Sequence, residues 1–202
     1  MMAKYIRPYL RELFSHLASR LHQMGITPNT VTIAGFVLTL LSTVMFATGN
    51  LFWGGFVLWA AAMFDMLDGD LARYANQTSK FGAFLDSTLD RYSESITFLG
   101  LAVYFSYKPG SQTELFLIFL TLIGSWMVSY TRARAEGLGL ECKVGILQRP
   151  ERLTILIAGL ILGLVSPALW ILAIFTNVTS LQRIYEVYTQ IGRVPGKRPL
   201  VD

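Results

Sequence analysis

Six apolar stretches constrain what this chain can fold into: five are close to the roughly 20 residues needed to cross a bilayer, and the fifth along the chain is shorter and could join the sixth as a hairpin. They lie at residues 28–48, 52–71, 81–104, 115–131, 153–164 and 167–184. Only 15% of the residues are charged, compared with about 25% in a typical soluble domain, and the mean hydropathy is +0.48. We therefore predict an all-α integral membrane protein, a bundle of six transmembrane helices within residues 28–190. No repeat, linker or low-complexity segment divides residues 1–202, so we expect a single domain.

The positions of lysine and arginine predict the orientation of these helices. Of the 17 Lys and Arg residues, all but Lys108 lie in the N-terminal segment, at the second and fourth connections, or near the C-terminus. Because basic residues accumulate on the cytoplasmic side, we expect a multi-pass protein of the cell membrane with both termini in the cytoplasm. Basic loops that face anionic lipid account for the net charge of +4, so we expect membrane lipid, not nucleic acid, as the partner.

Residues 3–24 mix apolar and basic side chains at helical spacing. This pattern favours an N-terminal amphipathic juxtamembrane helix that lies in the membrane surface. The alternative is an ordinary helix that packs against the bundle. Thr27 is a plausible N-cap for the first spanning helix, because Pro28 suits the first helical position.

Four aspartates lie inside the second and third apolar stretches: Asp65, Asp68, Asp86 and Asp90. An ionised carboxylate near the bilayer centre costs roughly 2.5–3.5 kcal/mol, so four of them need a strong compensating charge. The spacing of three and four residues places each pair on one face of a helix. Mg²⁺ or Mn²⁺ binds such oxygen ligands, and two ions about 3.5–4 Å apart would clamp a diphosphate.

The residues between the aspartates suit the same chemistry. Gly69 and Gly82 have no side chain and allow close approach of a ligand, and Arg73 offers a forked donor for phosphate. Asp70 faces away from the Asp65 and Asp68 side by helical phase. We therefore interpret Asp70 as a solvated or N-cap-like residue, not a metal ligand.

The pattern Asp65-x-x-Asp68-Gly69-x-x-Ala72-Arg73, followed after eight residues by Gly82-x-x-x-Asp86-x-x-x-Asp90, resembles the signature of the CDP-alcohol phosphotransferase family. The resemblance implies a six-helix membrane enzyme, a homodimer, that transfers a phosphatidyl group from CDP-diacylglycerol to an alcohol and releases CMP. The implied metal ligands are Asp65, Asp68, Asp86 and Asp90, with Asp90 also acting as the catalytic base. The positions implied to bind the CDP-lipid are Asn29, Thr30, Val31, Thr32, Gly69, Arg73 and Ser79.

The acceptor alcohol is suggested by basic residues further along the chain. Segments 129–136 and 149–152 resemble those of phosphatidylinositol phosphate synthases within that family, which use inositol 1-phosphate. Because arginine binds phosphate with a matched fork, we expect Arg132, Arg152 and Arg183 to hold the phosphate of a phosphorylated polyol. The alternative acceptor is glycerol 3-phosphate, as in a phosphatidylglycerophosphate synthase.

Two interpretations from other classes stay open on residue chemistry alone. Intramembrane acids serve as proton or cation relays in transporters, and they can pair with the arginines of a partner in a structural subunit. Neither interpretation gives a role to the glycines and the arginine between the aspartates.

Overall fold

All regular structure in the described part of the chain is helical. The computed structural model describes residues 16–75 and 77–192. Its helices are α1 (residues 16–23), α2 (Pro28–Ala47), α3 (Leu51–Tyr74), α4 (Lys80–Ser106), α5 (Gln112–Gly137), α6 (Arg149–Ile161) and α7 (Val165–Gly192). The all-α prediction is confirmed.

Four of these helices are long and apolar enough to cross a membrane, namely α2, α3, α5 and α7. The other two predicted spans correspond to α4 and α6. Neither is both long and apolar enough, and the reason is different for each. The first half of α4 carries several charged side chains, including Asp86 and Asp90. Helix α6 has 13 residues and is therefore about 20 Å long at 1.5 Å per residue. The chain is a helical membrane protein with four candidate spans.

Residues that disfavour helices predict turns between the apolar stretches at 49–50, 76–79, 108–110 and 166–167. The structure corrects the last of these predictions. Gly49 and Gly110 have φ values of 86° and 79° and reverse the chain at the expected places. The turn between α6 and α7 is at Gly163, with φ of 71°, and not at Ser166-Pro167. Helix α7 begins at Val165, so Pro167 falls in its first turn, where a missing backbone N–H breaks no helical hydrogen bond.

The chain divides into two compact units at Gly100. In the first unit, α2 and α3 pack closely because small residues remove side chains at the contact. A Cβ atom at Gly35 would lie 3.2 Å from the Phe64 Cβ, and one at Gly54 would lie 2.6 Å from the Phe46 ring. The start of α2 is well defined, since the Thr27 hydroxyl accepts from the Thr30 N–H, which confirms the predicted N-cap.

Helix α1 packs on the first unit through one face. Ala18 is fully buried in a cluster with Val31, Leu67 and Leu71, whereas Leu17 is exposed. The Tyr74 hydroxyl lies 3.0 Å from the Ser19 hydroxyl. These contacts support a packing role for residues 16–23, and the remainder of the predicted N-terminal helix, residues 3–15, lies outside the described residues.

In the second unit, α7 packs against both α5 and α6. Asn177 on α7 donates to the Leu120 carbonyl of α5 at 3.1 Å. At the N-terminal ends of the same two helices, the Ser166 hydroxyl donates to Glu114 at 2.7 Å. A Cβ at Gly159 on α6 would lie 2.5 Å from the Ala168 Cβ. Close helix contact at small residues is the usual geometry of packing inside a membrane.

Gly124→Ala should destabilise the protein by about 1–3 kcal/mol, the usual cost of overpacking a tight contact. The added Cβ would lie 2.7 Å from the Asn177 amide nitrogen and 2.8 Å from the Thr176 Cβ. The measurement is thermal unfolding in detergent. Gly137→Ala is the matched control, since a Cβ there meets nothing within 4 Å. Equal unfolding temperatures for the two variants would contradict this account of the contact.

Candidate functional site

Three of the predicted aspartates converge in the first unit. Asp65 and Asp68 lie one turn apart on α3, and Asp86 lies in the second turn of α4. One carboxylate oxygen from each of these residues lies within 4.8 Å of the others. We call these three residues the aspartate triad. Asp68 is buried and the other two are half-buried, so the triad concentrates negative charge in a partly desolvated place.

Small residues and a helix cap around the triad explain how α2 comes close to both α3 and α4. Gly35 brings the α2 backbone against α3 beside Asp65, whose N–H lies 4.0 Å from where a Gly35 Cβ would be. Ser79 caps α4, because its hydroxyl accepts from the Gly82 N–H at 2.9 Å. A Cβ at Gly82 would lie 3.4 Å from the Asn29 side-chain oxygen. The first turns of α2 and α4 therefore meet beside the triad.

The residues predicted to bind the CDP-lipid have different surroundings. Asn29 and Ser79 come together at Gly82. The Thr30 hydroxyl lies 2.9 Å from the Thr27 hydroxyl and belongs to the cap of α2. The Val31 side chain is buried in the apolar core, so only its backbone is available to a ligand. The side chain that reaches the triad is that of Thr32, whose hydroxyl donates to Asp68 Oδ2 at 2.6 Å.

Gly69, Asp70 and Arg73 form a group of their own on α3. Arg73 donates to Asp70 at 2.5 Å, and its guanidinium lies 3.5 Å from where a Gly69 Cβ would be. Asp70 is inside a continuous helix, so the N-cap-like interpretation of this residue is wrong. It is not part of the triad, as expected, and it forms an ion pair with Arg73 instead.

Asp90 lies one helical turn beyond Asp86 on α4 and is not a member of the triad. Its side chain is buried, and one of its oxygens lies 3.5 Å from the Arg91 guanidinium. Arg91 also donates to the Ser87 carbonyl at 2.6 Å, which holds it along its own helix. A buried carboxylate one turn from the triad is in a suitable place for proton transfer at the edge of a metal site.

The three arginines predicted for the acceptor lie in the second unit. Arg152 and Arg183 are buried, whereas Arg132 is exposed and pairs with Glu136 at 2.8 Å. The positive charges of Arg132 and Arg152 both act on Arg183. Glu136 also acts on Arg183, so a negative charge lies among these arginines.

Arg183 also holds the connection between α5 and α6. Its guanidinium donates to the Val144 carbonyl at 2.9 Å and to the Val128 carbonyl. The Cys142 thiol is directed at the Arg183 carbonyl, at 4.0 Å, and burial raises the pKa of this thiol. The Leu147 N–H donates to Thr179. Sequence reasoning missed this anchoring role, because backbone carbonyls leave no residue signature.

The triad fits a divalent metal ion. Three carboxylates whose oxygens lie within 4.8 Å of one another are hard ligands of the kind that Mg²⁺ and Mn²⁺ prefer. A divalent cation would also offset the mutual repulsion of these three carboxylates, which is weakly screened at a partly buried place. The predicted metal ligands Asp65, Asp68 and Asp86 are therefore brought together, and Asp90 lies beside them.

The family follows from comparison with known proteins. A family model described as CDP-alcohol phosphatidyltransferase matches residues 25–181. The chain belongs to this family and is a transferase. This finding sets aside the transporter and structural-subunit interpretations.

Within the family, the chain is similar to enzymes of inositol lipid synthesis. It is 40% identical to the phosphatidylinositol phosphate synthase of Mycobacteroides abscessus, over 92% of this chain and 88% of the relative. It is also 40% identical to the archaetidylinositol phosphate synthase of Pyrococcus horikoshii, over 92% of this chain and 96% of the relative.

Solved structures of the Mycobacterium tuberculosis phosphatidylinositol phosphate synthase share the fold, at 34% identity. The structure with CDP-DAG bound matches with a TM-score of 0.83, over 88% of this chain and 94% of that chain. The complex with manganese and citrate matches equally well, over 87% and 89% of the two chains.

Proposed function

We propose that this protein transfers a phosphatidyl group from CDP-diacylglycerol to a hydroxyl of inositol 1-phosphate, giving phosphatidylinositol phosphate and CMP. The observation that carries the proposal is the aspartate triad, three carboxylates from α3 and α4 within 4.8 Å of one another in a chain of this family. The acceptor is supported by the relatives named above and by the positive cluster of Arg132, Arg152 and Arg183.

The triad would hold Mg²⁺ or Mn²⁺, two ions per site, with Asp90 as a further ligand. A bound divalent ion would neutralise charge on the diphosphate and on the departing phosphate oxygen. Manganese in the solved relative supports the class of metal. Asn29 and Ser79 beside Gly82, with Arg73 on α3, would orient the CDP group next to the triad.

The reaction is a direct displacement at the phosphorus that carries the lipid. The acceptor hydroxyl oxygen forms a bond to this phosphorus, the bond between the phosphorus and the CMP oxygen breaks, and CMP departs. In this proposal Asp90 accepts the hydroxyl proton as the oxygen attacks, because its carboxylate is buried one helical turn from Asp86 of the triad and a carboxylate can act as a general base. No covalent enzyme intermediate is needed, since catalysis is positioning and charge neutralisation.

The proposal also covers how the chain lies in the membrane. We infer that all six predicted stretches contribute to one membrane domain, with an amphipathic N-terminal helix at the surface and both termini and the active site in the cytoplasm. The distribution of lysine and arginine supports this orientation. We also infer a homodimer, as the family resemblance implies.

An acceptor screen tests the proposed function. Purified protein with Mn²⁺ or Mg²⁺ should release CMP from CDP-diacylglycerol only when inositol 1-phosphate is present. Release with glycerol 3-phosphate instead would make the chain a phosphatidylglycerophosphate synthase, and no release with any phosphorylated polyol would refute the proposal. Arg152→Ala should raise the KM for the acceptor, whereas Arg134→Ala, an exposed arginine of the same region, should not.

A further inference from the structure

The hydroxyl of Thr32 has two hydrogen-bond acceptors within reach. It lies 3.1 Å from the Pro28 carbonyl, four residues earlier on its own helix, and 2.6 Å from Asp68 Oδ2 on α3. A hydroxyl has one proton to donate. The shorter distance is that of a charge-assisted bond to a carboxylate, which is about twice as strong as a bond between neutral groups. The proton therefore goes to Asp68.

Other threonines of the chain behave differently. Thr39, Thr43 and Thr154 each donate to the carbonyl four residues earlier in their own helix. Those bonds are the ordinary local alternative for a helical threonine. Thr32 has the same local acceptor available and yet contacts a side chain 36 positions away, so its bond serves the site.

The carboxylate that receives this bond is held under electrostatic repulsion. Asp68 is only 6% exposed, and the negative charges of Asp65 and Asp86 both act on it. The Gly69 backbone N–H also bonds this carboxylate, but it belongs to the same helix, so the Thr32 hydroxyl is the donor that ties Asp68 to α2. The residue that holds Asp68 in place is itself firmly held, because the Thr27 cap and the Gly35 contact fix the first turns of α2.

We propose that Thr32 is a positioning residue for the metal site, whose hydroxyl fixes the Asp68 carboxylate in the orientation that completes the aspartate triad. The inference rests on the proposed function, in which the triad holds a divalent ion. In this inference the Thr32 hydroxyl bonds Asp68 and does not bind the CDP-lipid, although the family resemblance had implied lipid binding for Thr32. Partners that orient metal ligands in this way typically contribute 10–100-fold to metal affinity.

The test is a titration of Mn²⁺ binding to the purified protein, without any lipid or acceptor. Electron paramagnetic resonance measures the bound and free Mn²⁺. Thr32→Val keeps the shape and removes the hydroxyl, so Mn²⁺ affinity should fall about 10–100-fold. Thr32→Ser should restore affinity close to that of the unaltered protein. Thr43→Val is the control, because that hydroxyl donates to the Thr39 carbonyl of the same helix, and it should leave Mn²⁺ affinity unchanged.

Each outcome has a separate meaning. If Thr32→Val binds Mn²⁺ as tightly as the unaltered protein, the inference is overturned, and a raised KM for CDP-diacylglycerol in that variant would assign the hydroxyl to the lipid instead. If the unaltered protein binds no Mn²⁺, the proposed metal site itself fails. Thermal unfolding in EDTA checks that the variants fold. Should Thr32→Val not fold, the smaller Thr32→Ala replaces it, and an unchanged Mn²⁺ affinity in Thr32→Ala overturns the inference in the same way.

Discussion

Asp90→Asn should lower the rate of CMP release by about 10²–10⁴-fold, the usual contribution of a general base. Asparagine has the shape of aspartate but cannot accept the proton of the attacking hydroxyl. Because asparagine keeps one oxygen that can contact a metal ion and the aspartate triad keeps its three carboxylates, binding of the CDP-lipid should stay largely intact. The measurement is single-turnover CMP release, combined with a titration of CDP-diacylglycerol binding.

The control for this variant is Ser87→Ala on the same helix, whose hydroxyl donates to the Phe84 carbonyl at 2.9 Å. It should turn over at close to the normal rate. A near-normal rate in Asp90→Asn would show that another group accepts the proton. Loss of CDP-lipid binding in that variant would instead make Asp90 a binding residue.

Asp86→Asn should weaken Mn²⁺ binding by more than the 10–100-fold that outer-shell substitutions typically cost, and turnover should be lost with it. The substitution removes one of three carboxylates whose oxygens lie within 4.8 Å of one another. In EDTA, however, the same variant should unfold at a higher temperature than the unaltered protein. The reason is that one of three mutually repelling charges is gone.

Asp70→Asn is the matched control, since it makes the same chemical change five residues from Asp65 on α3. Asp70 pairs with Arg73 and is not part of the triad, so Mn²⁺ affinity should be retained. Equal loss of Mn²⁺ affinity in both variants would mean that the metal responds to the general negative charge of the region and not to a defined set of ligands.

Much of the local structure could be predicted because its causes lie within a few residues. Thr27 and Pro28 determine the start of α2, since a cap hydroxyl and a residue without an N–H suit that position. Gly49 and Gly110 reverse the chain because they adopt positive φ readily. The one misplaced turn, at Gly163 in place of Ser166-Pro167, arose because proline is tolerated in a first helical turn as well as between helices.

The site was predicted in part, for a related reason. The spacing of Asp65 and Asp68 puts both on one face of α3, and that relation depends only on helical geometry. Which other groups reach that face depends on how the helices pack. The bond from Thr32 to Asp68 joins residues on two helices, and no spacing rule connects them. No spacing rule connects Arg183 to the Val128 and Val144 carbonyls either, although both accept hydrogen bonds from its guanidinium.

The sequence by itself therefore determined the class of fold, the apolar helices and the aspartates that we propose carry the chemistry, because composition and helical periodicity are properties of short segments. Only the tertiary structure decided that Asp86 joins Asp65 and Asp68 in one triad while Asp90 lies beside it and Asp70 pairs with Arg73. It also decided that the Thr32 hydroxyl serves Asp68. The physical reason is that carboxylates and hydroxyls act over about 3 Å, and only helix packing at small residues such as Gly35 brings distant positions that close.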